Sequence, residues 1–110
     1  MPDVMLDRRN APRYSLILAA EITELPSGTK LNARISDLSR SGCYIDTLNP
    51  VPMGSEVRVR LTRGSDVFEV TGKVVYVSAG LGMGIAFEEH ELSGQLPVLD
   101  RWLADASKHA

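Results

Sequence analysis

The sequence has few of the residues on which disulfide scaffolds, metal sites and nucleic-acid-binding domains depend. Cysteine occurs once, at Cys43, so no internal disulfide can form, and a reducing, cytoplasmic setting is the simplest expectation. The histidines, His90 and His109, lack metal-ligand spacing. Only 5% of the residues are aromatic and the formal net charge is -2. These two values argue against a domain that binds an RNA or DNA polymer.

Long apolar runs are also missing. No stretch approaches the ~20 apolar residues that a transmembrane helix needs, so we expect no membrane insertion. Residues 1–7 lack a basic start followed by an apolar block, and therefore do not resemble a secretory signal. The 110 residues suffice for one domain with a modest core.

Alternation of apolar and polar residues predicts six short strands. The first runs from Tyr14 to Glu24, although Ile17 and Ala19 blur its alternation. In the fifth strand, alternation places Phe68, Val70, Val74 and Tyr76 on one face. Gly72 interrupts this strand and predicts a bulge or a sharp bend there. The strands after the first are separated by turns or irregular links, and their first apolar residues are Leu31, Cys43, Val57, Val67 and Met83.

The end of the chain changes to a helical period. Ser93 is the predicted cap of this helix, and Pro97 fits only near its first turn. Trp102 is expected in the core, between the helix and the strands. We therefore predict a mainly β fold, a small six-stranded antiparallel β-barrel with a C-terminal helix packed on it. The residues at helical spacing are Leu92, Leu96, Leu99 and Leu103.

We divide the chain into a mobile N-terminal arm, residues 1–13, and a barrel with its helix, residues 14–108. The arm carries the first of two polar motifs, with arginines at positions 8, 9 and 13. A guanidinium group is a rigid donor fork, which meets phosphate oxygens or the O6 and N7 edge of guanine two bonds at a time. The arm is therefore suited to a small anionic ligand with planar acceptor edges.

The second motif is Asp37-Leu38-Ser39-Arg40-Ser41-Gly42, where the second predicted strand ends. The Asp37 carboxylate can accept hydrogen bonds from the N1 and N2 donors of guanine. The Ser39 hydroxyl can bond a phosphate or base, or it can close a local turn. Gly42 would permit either a positive backbone dihedral or the close approach of a ligand.

These motifs give the chain a resemblance to the PilZ domain, the bacterial receptor module for cyclic di-GMP. The segment from Arg9 to Arg13 matches the Arg-x-x-x-Arg arm of that family, and Asp37 to Gly42 matches its Asp/Asn-x-Ser-x-x-Gly signature. The segment Gly82-Met83-Gly84-Ile85-Ala86-Phe87 resembles the last strand of the family. The likeness extends from about Arg8 to the terminal helix.

The resemblance implies a second-messenger receptor without catalytic residues, metal or cofactor. Arg9, Arg13, Asp37, Ser39 and Gly42 would bind cyclic di-GMP. In the family, a basic residue before the arm motif goes with an intercalated ligand dimer, so Arg8 implies two ligands per chain. Binding would fold the arm onto the barrel, and an effector protein or self-association would convey the signal.

Other functions remain open at this stage. The main alternative is a PilZ-like module that binds a protein partner and no nucleotide; some family members of this kind lack the arginines and the signature, whereas this chain keeps both. A nucleotide-cleaving enzyme would need a general base beside a metal or an activated nucleophile. No histidine accompanies Asp37 and Ser39 at a suitable spacing, so we expect no enzyme.

Overall fold

A closed barrel of six antiparallel strands forms the body of the protein. The structure is a computed structural model that describes residues 12–108, so Arg8, Arg9 and most of the predicted arm lie outside the described residues. Around the barrel the order is β1-β2-β3-β6-β5-β4, and β4 pairs with β1 to close it. The strands are β1 Tyr14–Glu24, β2 Lys30–Leu38, β3 Gly42–Asp46, β4 Glu56–Arg63, β5 Asp66–Ser78 and β6 Gly82–Phe87.

The interior of the barrel is filled by the apolar residues that alternate along the strands. Complete burial of one such side chain is worth about 1.5–3 kcal/mol, so this face supplies the main driving force for closure. Ile17 is 65% exposed, and the outer face that it shares with Ala19 is therefore uncovered. The buried set includes Leu18, Ile22, Ile35, Leu38, Ile45, Val57, Val59, Leu61, Phe68, Val70, Val74, Met83 and Ile85.

Three one-residue irregularities bend the strands. They lie between Ser15 and Leu18 in β1, between Ile35 and Asp37 in β2, and between Val74 and Tyr76 in β5. The bulge predicted at Gly72 is therefore misplaced.

Gly72 itself keeps its regular pairing, with Val57 on one side and Phe87 on the other. A Cβ at this position would lie 2.6 Å from Ile85 Cγ2 and 2.7 Å from the Ala86 carbonyl oxygen. Glycine is required at position 72 because β6 packs closely against this point of β5.

Among residues 12–108, two helices follow the strands, α1 Glu89–Leu92 and α2 Leu96–Lys108. Together with the six strands, they confirm the predicted barrel with a C-terminal helix. The cap predicted at Ser93 is wrong, because Ser93 follows α1 and precedes α2 by three residues. Pro97 is the second residue of α2, where its missing N–H breaks no helical hydrogen bond. Within residues 12–108, neither helix is long and apolar enough to cross a membrane.

Helix α2 docks on the barrel through a buried apolar stripe of Leu99, Trp102 and Leu103. The Trp102 ring lies 6.3 Å from that of Phe68, and Trp102 is fully buried, as predicted. Ion pairs lie beside this stripe. In the first, Nη2 of Arg101 lies 2.8 Å from Oδ2 of Asp66.

A second ion pair joins Arg63 to Asp105, also at 2.8 Å. Hydrogen bonds from Arg101 and Trp102 hold the pKa of Asp66 below its usual value. These contacts fix the helix on the β4–β5 hairpin, next to the start of β1.

Candidate functional site

The two polar motifs meet in an ion pair between Arg13 and Asp37. Nη2 of Arg13 lies 2.7 Å from Oδ2 of Asp37, and its Nε donates to the same oxygen at 3.0 Å. Both side chains reach solvent, with 49% of Arg13 and 29% of Asp37 exposed. Partial burial lowers the pKa of Arg13, but the Asp37 carboxylate and Tyr76 raise it above its usual value. Arg13 is thus a permanent cation held at the barrel surface.

A strand irregularity explains why Asp37 faces outward. Ile35 and Leu38 are both buried although they lie three residues apart, which a regular strand does not allow. The extra residue, Ser36, lies between the pairs Ile35–Ile45 and Asp37–Tyr44 and reverses the alternation. Asp37 is thereby directed to the outer surface, where Arg13 reaches it from the start of β1.

Ser39 closes the turn between β2 and β3 and is only 3% exposed. Its Oγ accepts hydrogen bonds from the backbone N–H groups of Ser41 at 3.1 Å and Gly42 at 3.2 Å. Its backbone N–H donates to the Gly42 carbonyl at 2.9 Å. The strand ends at Leu38, so Asp37 and Ser39 do not form one continuous polar face. In this structure the Ser39 hydroxyl holds the shape of the turn.

Gly42 is required by the packing of β3 against β6. Its φ is not positive, so the backbone-dihedral explanation for this glycine is wrong. A Cβ at position 42 would overlap the backbone carbonyl oxygen of Ile85, and Gly42 pairs with Ala86. The glycine lets the turn lie directly on the last strand.

A pair of tyrosines continues the outer surface beyond Asp37. Tyr44 pairs with Asp37 on one side and with Gly84 on the other, and Gly84 in turn pairs with Tyr76. The two tyrosine rings are 6.0 Å apart and inclined at 30°. A Cβ at Gly84 would overlap the Tyr76 ring, so the glycine allows that ring to lie flat on β6. Asp37 on β2, Tyr44 on β3 and Tyr76 on β5 therefore form one row, with Gly84 of β6 between the two tyrosines.

Sequence reasoning placed Tyr76 on the wrong face of β5. It grouped this residue with the buried Phe68, Val70 and Val74, because the spacing is regular up to Val74. The β5 irregularity between Val74 and Tyr76 turns Tyr76 to the side of Tyr44. The available signal was the pattern of glycines at positions 82 and 84, which provides room for two rings.

A recess lies beside the ion pair, between the start of β1 and the end of α2. Its volume is about 520 Å³, within the range of small-molecule sites. Two arginines, from the arm motif and from the β4–β5 hairpin, are on its wall. Its lining is Arg13, Tyr14, Ser15, Leu16, Arg63, Asp105 and Ala106.

Cys43 and Arg40 are the other reactive side chains in or next to the Asp37–Gly42 motif, and both have contacts that explain them without a ligand. Cys43 is buried, as expected of a small core residue, and this burial, followed by the Asp37 charge, strongly raises the pKa of its thiol. Arg40 is exposed and pairs with Asp100 of α2, Nε to Oδ1 at 3.1 Å. Among residues 12–108, no group of three or more histidine, cysteine, aspartate or glutamate side chains is placed to hold a metal ion.

Comparison with known families and structures identifies the fold family. The family model described as PilZ domain matches residues 7–104. The chain belongs to the PilZ domain family. A search of the curated proteins found no match for this PilZ chain.

Solved structures share the fold of this PilZ domain at low sequence identity. The PilZ domain of YcgR from Escherichia coli, solved with c-di-GMP, is 18% identical with a TM-score of 0.75, and the match covers 93% of each chain. The PilZ domain of CeSA from a cellulose-synthesizing bacterium is 13% identical with a TM-score of 0.68, covering 83% of this chain and 97% of that one. PlzA from Borreliella burgdorferi, in complex with c-di-GMP, is 20% identical with a TM-score of 0.58, covering 79% and 39%.

Proposed function

We propose that this PilZ domain is a receptor for cyclic di-GMP that signals by a change of conformation and catalyses no reaction. The observation that carries the proposal is the contact between its two motifs, Arg13 with Asp37, on the outer surface of the barrel. Membership of a family of receptor modules supports it, as do the c-di-GMP complexes of the similar YcgR and PlzA structures.

The pair Arg13 and Asp37 offers opposite hydrogen-bonding chemistry at one place. The guanidinium donates to phosphate oxygens or to guanine O6 and N7, while the carboxylate accepts from guanine N1 and N2. A guanine base presents both kinds of edge, so one pair of side chains can engage it on two sides. This complementarity favours a guanine nucleotide over a simple anion.

The other motif residues complete the proposed site in different ways. Arg8 and Arg9 of the arm supply further positive charge for the phosphates. Ser39 and Gly42 set the backbone of the turn that follows Asp37, and through it the approach of the ligand. The ligand charge calls for several cations, because two stacked cyclic di-GMP molecules carry about four negative charges. We therefore propose an intercalated dimer, with Arg8 favouring two ligands per chain.

Ligand binding would tie residues 1–13 to the barrel and so create a new surface. An effector protein or a second copy of the domain would recognise that surface in the cytoplasm, where a nucleotide second messenger is sensed. The free energy for this change comes from contacts that the ligand makes only in the closed state. A PilZ-like module that binds only a protein would show no such dependence on nucleotide.

Calorimetric titration of the full chain tests the proposal. We expect saturable binding of cyclic di-GMP with two ligands per chain, and far weaker binding of GMP, which offers one guanine and one phosphate. Absence of heat at high ligand concentration in low salt would reject the receptor function. Saturation at one ligand per chain would reject only the dimer. Hydrogen exchange tests the switch, since amides in residues 8–14 should be protected by ligand and unchanged by GMP.

A further inference from the structure

The two ends of the barrel differ in charge. One end carries the β2–β3 and β4–β5 turns, with helix α2 docked beside it and the Arg13–Asp37 pair close by. The opposite end, here named the loop end, consists of the loops at residues 25–29, 47–55 and 79–81. No residue of these three loops is charged, whereas 24% of the whole chain is. The loop end is therefore a neutral surface on a charged protein.

Apolar side chains project from the loop end into solvent. Within residues 12–108, six large apolar residues are exposed, and five of them lie in or beside these three loops. The sixth, Ile17, lies on the side of the barrel. Exposed apolar residues that are gathered in one place, rather than scattered singly, mark a surface that another molecule covers. The five are Leu25, Leu48, Met53, Val77 and Leu81.

Backbone hydrogen bonds join the loops into one surface. The Thr47 N–H donates to the Leu81 carbonyl at 3.1 Å, so the exposed Leu48 and Leu81 belong to adjoining backbone segments. The Leu25 N–H donates to the Glu56 carbonyl at 3.0 Å, at the point where the loop of residues 47–55 enters β4. The longest loop therefore contacts both of the others.

Two acids at the rim of the loop end are already engaged. Glu24, the last residue of β1, accepts hydrogen bonds from Ser27 Oγ at 2.7 Å and Ser55 Oγ at 3.5 Å, and so braces two of the loops. Asp46, the last residue of β3, pairs with Arg34, Nε to Oδ2 at 3.3 Å. An apolar centre within a polar rim is the usual composition of a protein–protein interface.

A second copy of this chain is the partner that suits a neutral apolar surface. In a two-fold dimer one patch meets itself, so a charged residue near the axis would face a like charge. The net charge of -2 also opposes association of two copies through charged faces. Recognition of a different protein commonly uses complementary charges, which these loops do not offer. They also contain no lysine or arginine for anionic lipid headgroups.

We propose that two copies of this domain associate end to end through the loop end, with Leu48 and Leu81 in the contact. The Arg13–Asp37 pair and α2 are at the other end, so both copies keep their candidate sites accessible. The contact forms without nucleotide and is separate from the surface that ligand binding would create. One barrel end is a small interface, so the dimer is reversible, with a dissociation constant of roughly micromolar order.

Sedimentation equilibrium of the full chain over a range of concentrations tests the dimer. We expect the average mass to rise from that of a monomer to twice that value. Leu48→Asp and Leu81→Asp should each weaken the dimer roughly tenfold or more, because a buried charge then faces its own copy. Both side chains are exposed in the monomer, 78% and 70%, so urea unfolding should be unchanged in both variants.

Ile17→Asp is the matched control for these variants. Ile17 is 65% exposed and acquires the same charge, but it lies outside the loop end, so its dimer should match that of wild type. Equal weakening by Ile17→Asp would mean that added charge alone opposes association and would overturn the inference. A wild type that remains monomeric up to about 1 mM would overturn it as well.

Amide chemical shifts locate the contact by nuclear magnetic resonance. On concentration of the wild type, amides of residues 25–29, 47–55 and 79–81 should shift, and those of α2 should stay in place. Shifts confined to another face would place the dimer elsewhere and refute this interface. A monomeric wild type that binds vesicles of neutral lipid, with binding lost in Leu48→Asp, would refute it too and assign the loop end to a membrane surface.

Discussion

Arg13 meets Asp37 through one carboxylate oxygen. Its Nη2 and Nε both contact Oδ2, at 2.7 and 3.0 Å, and 29% of the Asp37 side chain is exposed. The two oxygens of a carboxylate together have about four lone-pair sites. The pair is therefore assembled and still has an acceptor to offer, which suits a ligand that brings its own N–H donors.

Removal of Arg13 should weaken ligand binding without unfolding the barrel. We expect Arg13→Ala to cost about 1.5–3 kcal/mol of binding free energy, roughly ten- to 150-fold in Kd, as for loss of a charged hydrogen bond. Calorimetric titration with cyclic di-GMP measures it. The exposed ion pair itself adds little to stability, so the unfolding midpoint should hardly change.

Arg34→Ala is the matched control for this change. Arg34 also pairs across strands with an aspartate, since its Nε lies 3.3 Å from Oδ2 of Asp46. Its substitution by alanine removes the same positive charge as Arg13→Ala. It belongs to neither motif, and its variant should bind like wild type apart from a small effect of net charge. Equal losses in the two variants would mean that only net charge matters and that Arg13 has no specific contact.

The turn glycine should be essential for stability. Gly42→Ala places a Cβ against the Ile85 carbonyl, and overpacking of this kind costs about 1–3 kcal/mol. Gly94→Ala has open space around it and no positive φ, so it should be within about 0.5 kcal/mol of wild type. Urea unfolding measures both. A Gly42→Ala variant with the unfolding free energy of wild type would contradict the close packing of β3 on β6.

The hydroxyl of Ser39 should also contribute to folding. In Ser39→Ala, the backbone N–H groups of Ser41 and Gly42 lose their acceptor in a buried turn, at a cost of about 1–3 kcal/mol. Ser41→Ala keeps both of these hydrogen bonds and removes only the contact between the Ser41 and Ser39 hydroxyls at 3.1 Å, so its cost should be smaller. Loss of cyclic di-GMP affinity in Ser39→Ala at unchanged unfolding free energy would instead indicate that Ser39 contacts the ligand directly.

Alkaline pH should destabilise the protein through Cys43. Burial raises the pKa of its thiol, so above about pH 8.5 the unfolded chain ionises while the folded protein stays protonated. The unfolded chain then binds fewer protons, and the free energy of unfolding falls with rising pH by up to about 1.4 kcal/mol per unit.

Urea unfolding between pH 7 and 10 of wild type and Cys43→Ala isolates this contribution. The two proteins differ only at position 43, so the difference between the two curves belongs to Cys43. The difference in unfolding free energy between wild type and Cys43→Ala should be constant below about pH 8. Above that pH, the wild type should lose stability relative to the variant. Parallel curves would mean that Cys43 is accessible to water in the folded state.

Much of the fold follows from local patterns in the sequence. The bounds of β1 were predicted to the residue, because Pro12 lies just before it, a turn follows it at residues 25–27 and its inner face is apolar. The helix was visible from its leucine spacing, but its start was placed too early. The segment from Ser93 to Gln95 is a turn, and α1 consists of four residues, too few to show a period.

The positions of the strand irregularities could not be predicted from these local patterns. An extra residue such as Ser36 is fixed by the register of both neighbouring strands, which no single segment contains. The consequence for the site was direct, because Tyr76 was assigned to the core. The Arg13–Asp37 contact depends likewise on a pairing between residues 24 positions apart. The motif residues themselves were found because their chemistry, unlike their geometry, is local.

The only tryptophan of the chain, Trp102, is sealed between α2 and the barrel, with its indole nitrogen 3.4 Å from the Asp66 carboxylate. Its emission therefore reports on one event, the seating of the terminal helix. A red shift of this emission would mark the entry of water into that contact. Fluorescence can therefore show whether ligand binding at the Arg13–Asp37 site changes the packing of the helix.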